Sequence, residues 1–83
     1  MSPIEIKKLI EDHLSLSTAQ VMTEDNHHFT AIIISPQFTG KKLLERQRLV
    51  YAALNPYLIN GTLHAFSFKT YTADEWQAKQ TGD

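Results

Sequence analysis

The sequence predicts an α+β domain of two layers, a three-stranded sheet covered on one face by helices, in the order α-β-β-α-α-β-α. Three observations predict it. Two stretches open with the S/T-x-x-E pattern of a helix start, and three runs are rich in β-branched and aromatic residues. Three strands cannot bury both of their faces, so the helices must cover one of them. The 83 residues allow a single domain, 1–83, with a tail from about residue 77 that frays.

The elements follow in order. In "SPIEIKKLIEDHL", Ser2 caps, Pro3 suits the first helical position and Glu5 completes the box; Ile6, Leu9, Ile10 and Leu14 then keep helical spacing, with His13 at the edge of that stripe. "TAQVMTE" and "HHFTAIIIS" read as antiparallel strands joined through the turn formers Asp25 and Asn26. Phe29, Ala31 and Ile33 share one face of the second strand, while His28, Thr30, Ile32 and Ile34 share the other. Pro36 ends that strand. After a turn at Gly40, "KKLLERQRLVYAAL" is helical, with Leu43, Leu44, Val50, Tyr51 and Leu54 as its apolar stripe. Asn55-Pro56 is expected to stop this helix and start a short second one, ended by Gly61. "TLHAFSFKTY" is the third strand, and "TADEW" begins a last helix whose Trp76 packs it on the sheet.

Composition narrows the function classes. With no cysteine, the chain alone holds no disulfide, thiolate zinc site or iron–sulfur cluster. No apolar run approaches the ~18 residues of a membrane span, and the N-terminus lacks the pattern of a secretory signal. The expected compartment is the cytoplasm, with no membrane partner. Net charge is −1, but residues 41–50 hold four bases and one acid. That segment is either a solvated helix face or an electrostatic footprint for phosphate. No nucleophile elbow, phosphate loop or H-E-x-x-H pattern occurs, so an enzyme is not expected.

Two motifs carry a resemblance: an F-x-G-x-x-x-x-x-[RK] helix start, Phe38 to Arg46, and a later [LI]-H-A-x-S-x-K, Leu63 to Lys69. Together, at this separation, they resemble the BolA family and its short bacterial branch, from the first helix to Trp76. The resemblance implies a fold similar to the type II K-homology domain with a mixed sheet, and so a parallel strand pair that periodicity does not reveal. It also implies an adaptor that pairs with a monothiol glutaredoxin in iron–sulfur handling, or a DNA-binding regulator. Many relatives carry His where this chain has Gln47.

His64 reads two ways. By strand alternation it shares a face with Phe66 and Phe68, which on pattern alone suggests a satisfied edge imidazole. In BolA-like proteins the histidine of this H-A-x-S segment is a cluster ligand, and the resemblance carries that role to His64. It favours His28 as the second ligand, with His27 as the alternate. The chemistry is consistent, since two imidazoles replace two thiolates on one iron in Rieske centres. The implied cofactor is a [2Fe–2S] cluster shared with the glutaredoxin and its glutathione; none is expected in the isolated protein, itself a monomer or weak dimer. Gly40, Lys41, Lys42, Arg46, Arg48 and Lys69 form the expected partner or nucleic-acid surface. K-homology proteins clamp a strand with a G-x-x-G loop, and Gly40 has no second glycine three residues on, so that clamp is not written here; phosphate contact by Lys41 and Lys42 would be nonspecific and strongly salt-dependent.

Overall fold

Ser2 and Glu5 close the expected capping box: the Glu5 amide donates to Ser2 Oγ (3.2 Å) and the Ser2 amide to Glu5 Oε1 (2.8 Å). Helix α1, Pro3–His13, then buries Ile6 and Ile10, and Leu14 is buried at its C-cap. His13 is exposed, on the water side of the stripe. The structure, a computed structural model, describes residues 1–63 and 65–81.

Strands β1 (Thr18–Thr23) and β2 (His28–Ile34) pair antiparallel, from Thr18↔Ile34 to Thr23↔Phe29. Strand β3, Ala65–Tyr71, lies parallel to β2, from His28↔Ala65 to Ile34↔Tyr71, which makes the sheet mixed and β2 central. A parallel pair needs a long crossover, supplied here by the 3-10 turn η1 (Pro36–Phe38) and helix α2 (Leu43–Ile59). Helix α3, Ala73–Thr81, follows β3 directly and continues into the stretch expected to fray.

The expected break at Asn55-Pro56 is absent: α2 runs through Pro56 as one helix. A proline inside a helix removes one hydrogen bond and crowds the carbonyl four residues back. Packing offsets that loss here, because Ala53 and Leu54 before it are buried and Tyr57 and Leu58 after it pack against the same core. The helical order is therefore α-β-β-α-β-α.

The core lies between the sheet and α1 and α2. Phe29, Ala31 and Ile33 meet Ile6, Ile10, Leu14, Phe38, Val50 and Leu54, all buried. The apolar stripe expected of α2 is only partly the buried one. Leu44 and Tyr51 sit about 120° and 100° around the helix from Val50 and are exposed. Leu43 keeps the phase of Val50, yet it stands in the first turn, where Arg46 makes the inward contact over the Phe38 ring. It is 64% exposed.

Thr70 faces the core from β3, and its buried hydroxyl has no hydrogen-bond partner among the described residues. An unpaired buried hydroxyl costs on the order of 1 kcal/mol or more. Thr70→Val is expected to stabilise the protein by about 1 kcal/mol, or roughly 4–8 °C in Tm. A thermal melt that is unchanged or lower would show that the hydroxyl is satisfied in solution.

Candidate metal centre

The β1–β2 turn is built around one carboxylate. Asp25 Oδ1 accepts the backbone N–H groups of His27 and His28, both at 2.9 Å. Asp25 Oδ2 lies 2.8 Å from His28 Nδ1. Asn26 takes a left-handed conformation (φ 62°), which asparagine tolerates, and Thr23 Oγ1 accepts its N–H at 3.0 Å. The His28 and His27 amides and the His28 ring together hold the Asp25 carboxyl well below the usual carboxylate range.

His28 opens β2 on the sheet face away from the core, and its side chain is 77% exposed. With Met22, Thr23, Glu24, Asp25 and Thr30 it lines an open depression of about 370 Å³. His27 is exposed, and its ring has no hydrogen-bond partner among the described residues. Of the two candidates, His28 is the one the turn holds in place. Sequence reasoning treated Asp25 as a turn former only; the signal was a carboxylate three residues before a histidine, the spacing of a side chain that folds back on its own turn.

His64 lies outside the described residues. The chain on either side of it is described: Leu63 is buried and its N–H donates to Tyr57 O (2.9 Å), while Ala65 pairs with His28. With no cysteine, the chain has no thiolate donor, and imidazoles are its nitrogen donors. Among the described residues no three His, Asp or Glu side chains converge on one metal position. This donor set fits half of a mixed-ligand cluster site, with thiolates brought from elsewhere.

The basic residues do not make one face. Gly40 has φ 74°, and nothing lies within 4 Å of the place a Cβ would take, so glycine serves the backbone conformation there. Lys42 and Arg48 are exposed and Lys41 is half-buried, all near the start of α2. Lys69 lies on the opposite, open face of the sheet, in a groove of about 350 Å³ with Tyr71, Trp76 and Lys79.

Arg46 is not a free surface charge. Its Nη1 and Nη2 donate to the two oxygens of Glu75 (2.7 and 3.0 Å), and its Nε donates to Lys41 O (2.9 Å). Glu75 Oε1 also accepts the Thr72 N–H at 2.8 Å, and its own amide donates to Thr72 Oγ1 at 3.2 Å, so the cap of α3 and its tether to α2 are the same carboxylate. Helix α3 buries no residue fully; Trp76 against Tyr71, ring centres 5.2 Å apart, is its other anchor.

The Arg46 guanidinium, with the Thr72 amide, lowers the Glu75 carboxyl from 4.5 to about 2. A carboxyl depressed in the folded state stabilises it above its unfolded value, and that contribution is lost as pH falls from about 4.5 towards 2. The Glu75 side chain is 45% exposed, so screening reduces the contribution to about 1 kcal/mol. Arg46→Ala is therefore expected to lower stability by about 1 kcal/mol at neutral pH. The gap to wild type should narrow in chemical denaturation as pH falls towards 2, leaving only what the Lys41 carbonyl and Phe38 contacts of Arg46 contribute; a gap independent of pH would refute the assignment.

Comparison with known proteins follows the same outline. A family model described as BolA-like protein matches residues 2–75. The solved structure of a BolA homologue from Coxiella burnetii is 41% identical, with a TM-score of 0.77 over 93% of this chain and 97% of that one. The acid stress protein IbaG of Escherichia coli K12 is 35% identical over 72 residues, 87% of this chain and 84% of that protein. The DNA-binding transcriptional regulator BolA of the same strain is 40% identical over 53 residues, 64% of this chain and 50% of that protein. A match over nearly the whole chain, on a fold shared with a solved relative, means that this protein belongs to the BolA-like family.

Proposed function

We propose that this protein is a non-enzymatic adaptor that pairs with a monothiol glutaredoxin and co-ligates a [2Fe–2S] cluster, for iron–sulfur trafficking or iron and redox sensing. The observation that carries the reading is His28: an exposed imidazole, held by a carboxylate at one ring nitrogen, at the end of β2 that pairs with Ala65 beside His64. Metal-binding histidines characteristically donate their second nitrogen to such a partner. The bound cluster supplies electron-transfer chemistry; this chain supplies two neutral nitrogen donors and no sulfur. The glutaredoxin cysteine and a glutathione thiolate complete the set. His64 is the principal ligand of this chain and His28 the second, and the cluster is absent from the isolated protein, a cytoplasmic monomer or weak dimer.

Reconstitution tests it. The protein, a monothiol glutaredoxin, glutathione, iron and sulfide are mixed, and the visible circular dichroism is recorded. A spectrum distinct from that of the glutaredoxin homodimer is expected. The homodimer spectrum alone would refute shared ligation.

A second reading, a DNA-binding regulator, is favoured by the Escherichia coli relative named a DNA-binding transcriptional regulator and by Lys41, Lys42 and Arg48 near the start of α2. Arg46 weakens it, since Glu75 already takes that charge. Binding through so few cations would be nonspecific and would fall steeply with salt. Anisotropy of a labelled duplex across a salt series measures this directly. Sequence-dependent affinity persisting at physiological salt would favour the regulator. No helix among the described residues is long and apolar enough to cross a membrane.

A further inference from the structure

We infer that Asp25 is a positioning residue which fixes His28 as its Nδ1–H tautomer, leaving the lone pair of Nε2 turned outward as the donor atom. The metal half of this inference rests on the function proposed above; the tautomer half rests on the geometry alone.

The two carboxylate oxygens have separate tasks. Oδ1 is occupied by the amides of His27 and His28, which build the turn (both 2.9 Å). Oδ2 is left for the ring, 2.8 Å from Nδ1. An ionised carboxylate is an acceptor only, so Nδ1 must carry the proton of this hydrogen bond. A neutral imidazole has one N–H and one lone pair, so the lone pair then lies on Nε2. With the ring 77% exposed, Nε2 is open to an approaching metal. The backbone helps: the His28 carbonyl accepts the Thr23 hydroxyl at 2.7 Å, and the His27 and His28 amides are tied to the same side chain that holds the ring. Ring and turn are therefore aligned by one residue, which lowers the entropy lost when a metal is bound.

The arrangement makes a sharp test, because an amide can keep one task of Asp25 and reverse the other. In Asp25→Asn the remaining oxygen still accepts both backbone N–H groups, while the –NH2 now faces Nδ1. It donates, so Nδ1 must accept and the ring proton moves to Nε2. The turn survives and the donor atom is blocked.

The experiment is long-range 1H–15N NMR of the imidazoles in the isolated protein at about pH 8, where an ordinary histidine is neutral, followed by reconstitution of the same samples with the glutaredoxin. Wild type is expected to show His28 with the proton on Nδ1, and Asp25→Asn with the proton on Nε2. Unchanged amide shifts at His27 and His28 confirm that the turn is kept. The variant is expected to hold the shared cluster about 10–100-fold more weakly, the usual effect of losing an outer-shell partner. The same tautomer in both proteins, or a tautomer reversal with undiminished cluster affinity, would overturn the inference. A reversal as expected in a protein that forms no shared cluster even as wild type supports the hold of Asp25 on the ring and refutes the glutaredoxin reading instead.

Discussion

His64→Ala is expected to abolish the mixed-ligand spectrum of the proposed complex and to return the reconstituted sample to the signature of the glutaredoxin homodimer. The reason is arithmetic of donors. With no cysteine, the chain has no thiolate to put in place of a lost imidazole. The homodimer, which supplies thiolates throughout, should then outcompete the mixed complex. His28→Ala is expected to weaken the mixed species, and His27→Ala to leave it intact, since the His27 ring is not held by the turn. Titrating glutaredoxin–cluster dimer with each variant, and following the visible circular dichroism, separates the three. Retention of the mixed spectrum in His64→Ala would remove the principal ligand from the proposal.

The second large effect concerns the fold beneath the basic helix. Phe38→Ala is expected to cost about 3–5 kcal/mol, the range for truncating a buried phenylalanine. Phe38 is fully buried, ends η1, and lies under Arg46, 5.8 Å from the guanidinium to the ring centre. Its carbonyl also accepts the Lys41 N–H at 3.1 Å, so the turn through Gly40 is built on it. A small domain holds only about 5–15 kcal/mol in all, so this loss takes up a large share of its stability. Leu43→Ala and Leu44→Ala, at 64% and 56% exposure, are expected to change stability by no more than about 0.5 kcal/mol. Urea denaturation of the three variants checks both statements. Equal losses at Phe38 and Leu43 would mean that α2 packs through its first turn after all.

These contrasts mark what was legible along the chain. The boxes Ser2–Glu5 and Thr72–Glu75, the alternation of Phe29, Ala31 and Ile33, and the three strands could be read directly, because each depends on neighbours within a few residues. Paired motifs sufficed to place the chain in its family. Pro56 was misread because its local cost is real and only the burial of Ala53 and Leu54 on one side, and the packing of Tyr57 and Leu58 on the other, outweighs it.

Tertiary structure alone decided the rest. Arg46 and Glu75 stand 29 residues apart, and nothing in the spacing of "KKLLERQR" says that one of its cations is neutralised by the last helix. The distribution of Lys69 and Lys42 to opposite faces follows from the parallel crossover, which brings α2 over one side of the sheet and leaves β3 open on the other. The division of Asp25 between backbone and ring depends on angles within a four-residue turn. Periodicity and capping are one-dimensional and survive in the sequence; charge pairing, strand register beyond a hairpin and the aim of a side chain are three-dimensional, and only the folded chain brings their partners within reach.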